Sequence, residues 1–259
     1  MEKQKYDTGY ALSGGFIKGF AHLGALQALH EYGFTPDIIS GVSAGSIIGA
    51  LYADGNEPYH ILGFFDKLSF TDLTSFSIRD HGIFKLDSLV DFLRGHLHAR
   101  RIEDLKIPMI ITATDFDHGV SMHFREGDLA ERIAASCCLP ILFAPRRIDG
   151  VYYVDGGLLM NLPVTTLRPL CRTVVAINVS TLPSQAIDMS FVDIALRSYN
   201  LMFQANSILQ KEQCDLLIEP QGLDVYGNND LDKAEEIFGR GYDAAVEALQ
   251  SERGKRLPR

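Results

Sequence analysis

No apolar run in this 259-residue chain approaches the ~20 residues that a helix needs to cross a bilayer, which excludes a helical integral membrane protein. Glycine and proline, at 23 and 10 residues, are too few for a collagenous or Gly/Pro-rich disordered chain. Cysteine is scarce. Cys137 and Cys138 are neighbours poorly placed to bridge each other, Cys171 and Cys214 stand apart, and no C-x-x-C spacing occurs. Neither a disulfide framework nor a zinc site is expected, and the four thiols read as small buried hydrophobes. Basic charge is also short. A net charge of −9 argues against a general nucleic-acid binder, which needs a basic footprint to displace phosphate counterions. Met1 to Tyr10 is polar and lacks the apolar core of a secretory signal, so the cytoplasm is the expected compartment.

What is present suits a globular protein. At 46% hydrophobic and 22% charged, the chain can bury a sizeable core, and its length permits one α/β domain or two. The acidity is uneven: residues 215–252 hold ten Asp/Glu against two Lys/Arg. A basic tail follows, with Arg253, Lys255, Arg256 and Arg259, and is expected to be solvated and frayed.

Strand-length apolar runs alternate with segments of helical period, the pattern of an α/β fold. The spacing predicts strands at 10–12, 37–40, 108–115, 120–124, 151–154, 173–179 and 216–219. Helices are expected from Gly19 to the stop at Gly33, from the Gly41–Gly45 turn to Asp54, over 129–138, over 191–211 and over 233–252. Residues 58–105 read as helices joined by loops, and Asp117-His118-Gly119 as a hairpin turn. In the aromatic segment from Ile61 to Phe84, residues Leu62, Phe65 and Leu68 fall at helical spacing. They read as ordinary core, with a lid or a lipid-facing surface as the competing reading.

Three local patterns carry chemistry. Gly41-Val42-Ser43-Ala44-Gly45 matches G-x-S-x-G, with a strand before it and a helix after it. A serine on so sharp a turn needs small neighbours, and the turn lifts its hydroxyl clear of the sheet at a helix N-terminus. Upstream, Ser13-Gly14-Gly15-Phe16-Ile17-Lys18-Gly19 lies between the first strand and the first helix. Its glycines let backbone N–H groups approach an oxyanion or a phosphate closely, and it fits neither the Walker nor the dinucleotide spacing. Downstream, Asp155-Gly156-Gly157 ends a β-like run.

The base for Ser43 has two candidates. An acid–histidine pair would draw on Asp115 or Asp117 with His118 or His123, all in the expected hairpin. His22 and His30 fall on the first helix and are expected to be partly exposed. Alternatively Asp155 accepts the proton directly, provided that it lies beside Ser43 in a partly desolvated site that raises its basicity. An Asp-Gly pair is by itself a common turn.

Together these blocks resemble the patatin-like phospholipase family. That family has a Gly-rich oxyanion loop, a G-x-S-x-G elbow shortly after it and an Asp-Gly-Gly/Ala motif downstream. Ala135-Ser136 with Pro140, and Asn161 with Pro163, resemble two further family blocks. The resemblance implies a mainly parallel central sheet flanked by helices in three layers. It implies an acyl hydrolase domain over 1–220, with 221–259 a helical extension packed on it. Ser43 would be the nucleophile and Asp155 the base. Backbone N–H groups of Gly14, Gly15 and Phe16 would form the oxyanion hole, with Lys18, Gly19, Gly41, Gly45, Gly156 and Gly157 in supporting positions. The scheme needs no metal or cofactor, and its partner is a lipid or ester substrate, with peripheral membrane contact.

One departure stands out. Phe16 occupies the place where the family usually has a third glycine. Phenylalanine still offers an N–H but disfavours positive φ, so either this position needs no special angle or the hole is altered. Phe16 would also wall an acyl pocket. The expected activity is cleavage of carboxylic esters of lipids through an acyl-enzyme. The alternatives are a small-ester carboxylesterase or thioesterase on the same pair, and a noncatalytic lipid-binding or regulatory protein that keeps the fold.

Overall fold

The computed structural model describes residues 4–65, 75–76, 84–182, 190–227 and 230–257. Leu68, Phe70 and Arg259 lie outside them. Within the described residues an eight-stranded sheet runs β10-β9-β1-β2-β5-β8-β7, with β6 also on β5. The strands are β1 (Tyr6–Leu12), β2 (Ile38–Val42), β5 (Met109–Asp115), β6 (Val120–Phe124), β7 (Arg146–Ile148), β8 (Val151–Asp155), β9 (Cys171–Ile177) and β10 (Leu216–Ile218). The run from β10 to β5 is parallel, whereas β6 and β8 meet β5 antiparallel. The fold is therefore mixed α/β, mostly parallel, as the alternation of patterns requires. β1 begins four residues earlier than its apolar run, because Tyr6 to Thr8 pair with Cys171 to Thr173 while their side chains are only half covered.

The helices are α1 (Phe20–Glu31), α2 (Ala44–Ala53), α3 (Pro58–Phe64), α4 (Asp87–His96), α5 (Leu129–Cys137), α6 (Val164–Leu167), α7 (Phe191–Glu212) and α8 (Ala234–Gln250). Alternate residues of each central strand face opposite layers. Tyr10 and Leu12 pack with α1, α2 and α8, whereas Ala11 packs with Leu162, Val164 and Leu167 around α6. α1 is apolar almost all round, as befits a helix covered on both sides. The sheet takes one side and α8 the other. Gly24 of α1 and Gly241 of α8 let the two backbones touch, for a Cβ on either would sit 1.9 Å from a carbonyl oxygen of the other helix.

Some short elements escaped the sequence reading. β7 and α6 have three and four residues, too few to show a period. A small hairpin, β3 (Ser75–Phe76) with β4 (Phe84–Lys85), lies in the segment expected to be helices and loops. Over the described part of the stripe Ile61 and Leu62 are buried and Phe65 stacks edge-on against Phe20 at 5.3 Å, as ordinary core does; the rest of the segment proposed as a lid lies largely outside the described residues. All four cysteines are free and buried. Residues Gly254–Arg256 of the basic tail form a helical turn with Gly254 buried, rather than fraying.

Arg146 fastens β7 to two helices. Its guanidinium donates to both oxygens of Glu131 on α5, at 2.7 and 2.9 Å, and to Asp87 on α4 at 2.6 Å. Arg146→Met leaves two carboxylates facing each other across a half-buried gap. A loss of about 1–2 kcal/mol in urea unfolding is expected, and an unchanged midpoint would show the clamp to be dispensable.

Candidate active site

β2 and β8 lie on the same edge of β5, one after the other. Residues Ile111 and Thr112 pair with both β2 and β6, so those strands flank β5; Ala113 to Asp115 pair with both β6 and β8. β2 runs parallel to β5 and ends with Val42 beside Thr112. β8 comes in antiparallel and ends with Asp155 beside Ala113. The two strands therefore meet end to end, and the next residue after β2 is Ser43. The Ser43 hydroxyl thus comes up to the Asp155 carboxyl, close enough to favour its charged form.

Ser43 caps α2 with φ 51° and ψ −123°, a conformation that costs an L residue about 1–3 kcal/mol. Neighbours hold it there. Its N–H donates to Ser136 Oγ at 2.8 Å, and that hydroxyl donates to Thr112 O at 2.7 Å. Its carbonyl accepts the Ser46 N–H at 2.8 Å and the Ser46 hydroxyl at 2.6 Å. The two flanking glycines are required by contact: a Cβ on Gly45 would lie 2.4 Å from Leu12 O, and one on Gly41 2.5 Å from Gly45 O.

Asp155 is 4% exposed. Burial pushes its carboxyl up to about 6, against the opposing pull of the Gly157 N–H, which donates to Oδ1 at 2.8 Å, and of the Ser43 hydroxyl. Its backbone is fixed on both sides, with N–H to Cys138 O at 2.9 Å and carbonyl from Thr114 Oγ1 at 2.9 Å. Gly156 passes so close to β5 that a Cβ would meet Thr112 O at 2.3 Å.

The Gly14–Gly19 loop comes up against Ser43. A Cβ on Gly14 would lie 3.2 Å from Ser43 Cβ, and one on Gly19 2.9 Å from Ala44 Cβ. Of the three expected oxyanion donors, the Gly14 N–H is already committed to Asn161 O at 3.1 Å. The N–H groups of Gly15 and Phe16 donate to no other described residue. Phe16 does adopt positive φ, 53°, so this position requires the glycine-like angle and the phenylalanine bears the strain. Lys18 is buried and reaches away, its Nζ donating to Thr181 Oγ1 at 3.0 Å and O at 3.3 Å. Burial lowers its pKa to about 8, with Asp224 pulling the other way.

Ser43 and Asp155 open into a cavity of about 150 Å³ whose walls are almost wholly apolar, among them Phe16, Ile17, Ile48, Leu86, Leu139 and Phe143. The histidine candidates stand elsewhere. His118 is bound to Asp115 in the hairpin at 2.9 Å, and His123 to Thr112 at 3.0 Å in the β6 strand on the far edge of β5. Neither lines the cavity. His22 is not partly exposed as expected but fully buried, 2.9 Å from Ser13 O. Among the described residues no group of His, Cys, Asp and Glu could hold a metal ion.

The family model described as patatin-like phospholipase matches residues 10–168. The chain belongs to the patatin-like phospholipase family. Relatives include an uncharacterized NTE family protein of Mycobacterium tuberculosis, 35% identical over 61% of this chain and 44% of its own length. They also include the lysophospholipase NTE1 of Saccharomyces cerevisiae, 31% identical over 67% of this chain and 11% of its own length. The chain thus spans less than half the length of these relatives. The crystal structure of VipD from Legionella pneumophila shares the fold, with a TM-score of 0.60 at 16% identity over 95% of this chain and 67% of that one.

Two residues of this patatin-like chain have a place at the site that the sequence did not reveal. Ser136 was marked only by resemblance, and its role as the bracket between Ser43 and Thr112 needs the fold. Cys137 reads as one more buried thiol, yet it lines the cavity beside Ser43 and Asp155. Burial holds it well above the ordinary thiol range, so it stays protonated. No helix among the described residues is long and apolar enough to cross a membrane.

Proposed function

We propose that this chain is a serine acyl hydrolase that cleaves carboxylic esters of lipids by a Ser43–Asp155 pair. The juxtaposition of Ser43 with a buried Asp155 in the wall of one apolar cavity, at the meeting ends of β2 and β8, carries the reading. Asp155 takes the hydroxyl proton as Ser43 Oγ attacks the ester carbonyl. The N–H groups of Gly15 and Phe16 receive the oxyanion, and the alcohol portion departs with a proton. Water then attacks the acyl-enzyme with Asp155 again as base, which releases the acid and restores Ser43. A carboxyl ionising near 6 is a far better base at neutral pH than an ordinary aspartate. The cavity wall of Phe16, Ile17, Leu139 and Phe143 supports a hydrocarbon acyl chain as the group bound beside Ser43. The relatives that carry the name lysophospholipase support the same substrate class.

A series of p-nitrophenyl esters of rising chain length, with lysophospholipid and phospholipid vesicles beside it and Ser43→Ala as blank, tests this. Preference for long acyl esters supports the lipid reading; preference for acetate or butyrate would replace it with a small-ester esterase.

The pH dependence follows from Asp155. Only its ionised form accepts a proton, so kcat/KM should rise with pH through an apparent pKa near 6. A limb set by His22, which burial holds near 4, or no acid limb above pH 5, would remove Asp155 from the role of base.

Phe16→Gly should relieve the backbone at φ 53° and open the cavity wall. The ratio of kcat/KM for a branched over a straight-chain acyl ester is expected to rise about 10-fold. A constant ratio would mean that Phe16 does not bound the acyl site.

A further inference from the structure

The loop that would hold the oxyanion is set by two side chains, Ser13 and His22, that do not themselves touch the cavity. β1 ends at Leu12, and the Ser13 N–H still follows the sheet to Ile177 O at 3.1 Å. The next two peptide units are then fixed one after the other. In the Ser13–Gly14 unit, the carbonyl accepts His22 Nε2–H at 2.9 Å, and the N–H donates to Asn161 O at 3.1 Å. In the Gly14–Gly15 unit, the carbonyl accepts the Ser13 hydroxyl at 3.0 Å. That hydroxyl has one proton, and its oxygen is anchored in turn by the Val179 N–H at 2.9 Å. A trans peptide is planar, with its C=O and N–H on opposite sides. Tying Gly14 O to Ser13 therefore turns the Gly15 N–H the other way, where it donates to no described residue. Gly15 cannot drift, because its Cα hydrogen is pressed against Val179, where a Cβ would meet Cγ2 at 2.7 Å.

His22 has no packing reason to be histidine. It is the one ionisable side chain among the nine buried residues of α1, and its Nδ1 has no partner among the described residues. Burial keeps the ring neutral, with a pKa near 4, and a neutral ring carries a single proton. The Ser13 carbonyl draws that proton to Nε2. A leucine would fill the same space without leaving a buried ring nitrogen unsatisfied, so the Nε2–H bond to Ser13 is what the histidine supplies.

We propose that Ser13 and His22 are positioning residues that hold the Gly14–Gly15 peptide so that the Gly15 N–H faces the oxyanion formed over Ser43. This rests on the acyl-hydrolase reading above. A trifluoromethyl ketone with an alkyl chain tests it, since Ser43 Oγ adds to its carbonyl carbon and the carbonyl oxygen becomes an oxyanion in the same place.

Ser13→Ala and His22→Leu should each lower kcat about 10- to 100-fold on a p-nitrophenyl ester, with KM within about 3-fold. The Ki of the ketone should rise by the factor by which kcat/KM falls. His22→Gln, whose side-chain amide can still donate toward Ser13 O, should return to within about 5-fold of the parent on both readings. A variant that merely folds less well loses kcat in proportion to its folded fraction but leaves Ki unchanged; that result, or an unchanged kcat, overturns the proposal. Should His22→Leu yield no folded protein, Ser13→Ala and His22→Gln give the same two readings. If Ser43→Ala hydrolyses the ester as fast as the parent, the nucleophile assignment falls and this proposal with it. Hydrolysis that depends on Ser43, with Ki unmoved in both variants, overturns the proposal alone.

Discussion

Asp155→Asn should lower kcat by about 10³-fold or more while making the protein more stable at neutral pH. The loss follows from removing the proposed base beside Ser43. The gain follows from what burial costs that base. Its carboxyl holds a proton more tightly in the fold, to about 6, than in an unfolded chain, near 3.8. The folded state therefore binds the proton better between these values, and stability falls as pH rises from about 4 to above 6. At pH 7.5 the buried charge costs up to about 3 kcal/mol. Asparagine avoids this cost and can still accept the Gly157 N–H. Urea unfolding should show Asp155→Asn more stable by about 1–3 kcal/mol at pH 7.5, with the gain gone near pH 4. Equal stability at both pH values would show that Asp155 is not strained by burial. Ser43→Ala makes the contrast. It should abolish turnover to at least the same degree with little change in stability, because alanine inherits the backbone at φ 51°.

The second large effect lies at the contact of α1 with α8. Gly241→Ala should destabilise the protein by about 3 kcal/mol or more. The added Cβ would stand 1.9 Å from Ala21 O and 2.7 Å from Ala21 Cα, and backbone atoms inside a helix cannot step aside as a side chain can. α8 must lift from α1. At about 2–4 °C per kcal/mol for a chain of this size, the melting temperature should fall by roughly 6–12 °C. Gly24→Ala should do the same through Phe238 O. The double variant should cost less than the sum, since helices already pushed apart leave room for the second methyl. Full additivity would mean that the two glycines do not serve one contact. α1 also carries His22, so activity should drop with stability in these variants.

What the sequence made legible was local. The elbow at Ser43 could be read because strand, turn and helix follow one another without a break and the close contact of Gly41 with Gly45 is made inside that unit, although Gly45 itself packs on Leu12 of β1. Asp155 could be read as a residue type at a turn, but its place beside Ser43 depends on β5 receiving two strands on one edge, a pairing that no residue pattern in β2 or β8 encodes. The Gly14 N–H was expected to be free. Its partner, Asn161, is 147 positions away, and the sequence contains nothing that ties the two together. His22 was expected near the surface because a histidine on an apolar helix ordinarily sits at its rim. Here the ring lies against the Ser13 carbonyl at the end of β1 and is wholly buried, a contact that no pattern within the helix announces. β7 and α6 are too short for any periodicity to form.

The end-to-end meeting of β2 and β8 makes the site all-or-none. A strand advances about 3.3 Å per residue, and successive side chains point to opposite faces. A slip of one residue by β8 along β5 would carry the Asp155 carboxylate out of reach of Ser43 and turn it through the sheet. A slip of two would restore the face but leave a gap of about 7 Å. No graded misalignment of these strands yields a weakened pair. On the proposed mechanism, turnover would count the molecules in correct register, and an activity assay would double as an assay of strand alignment.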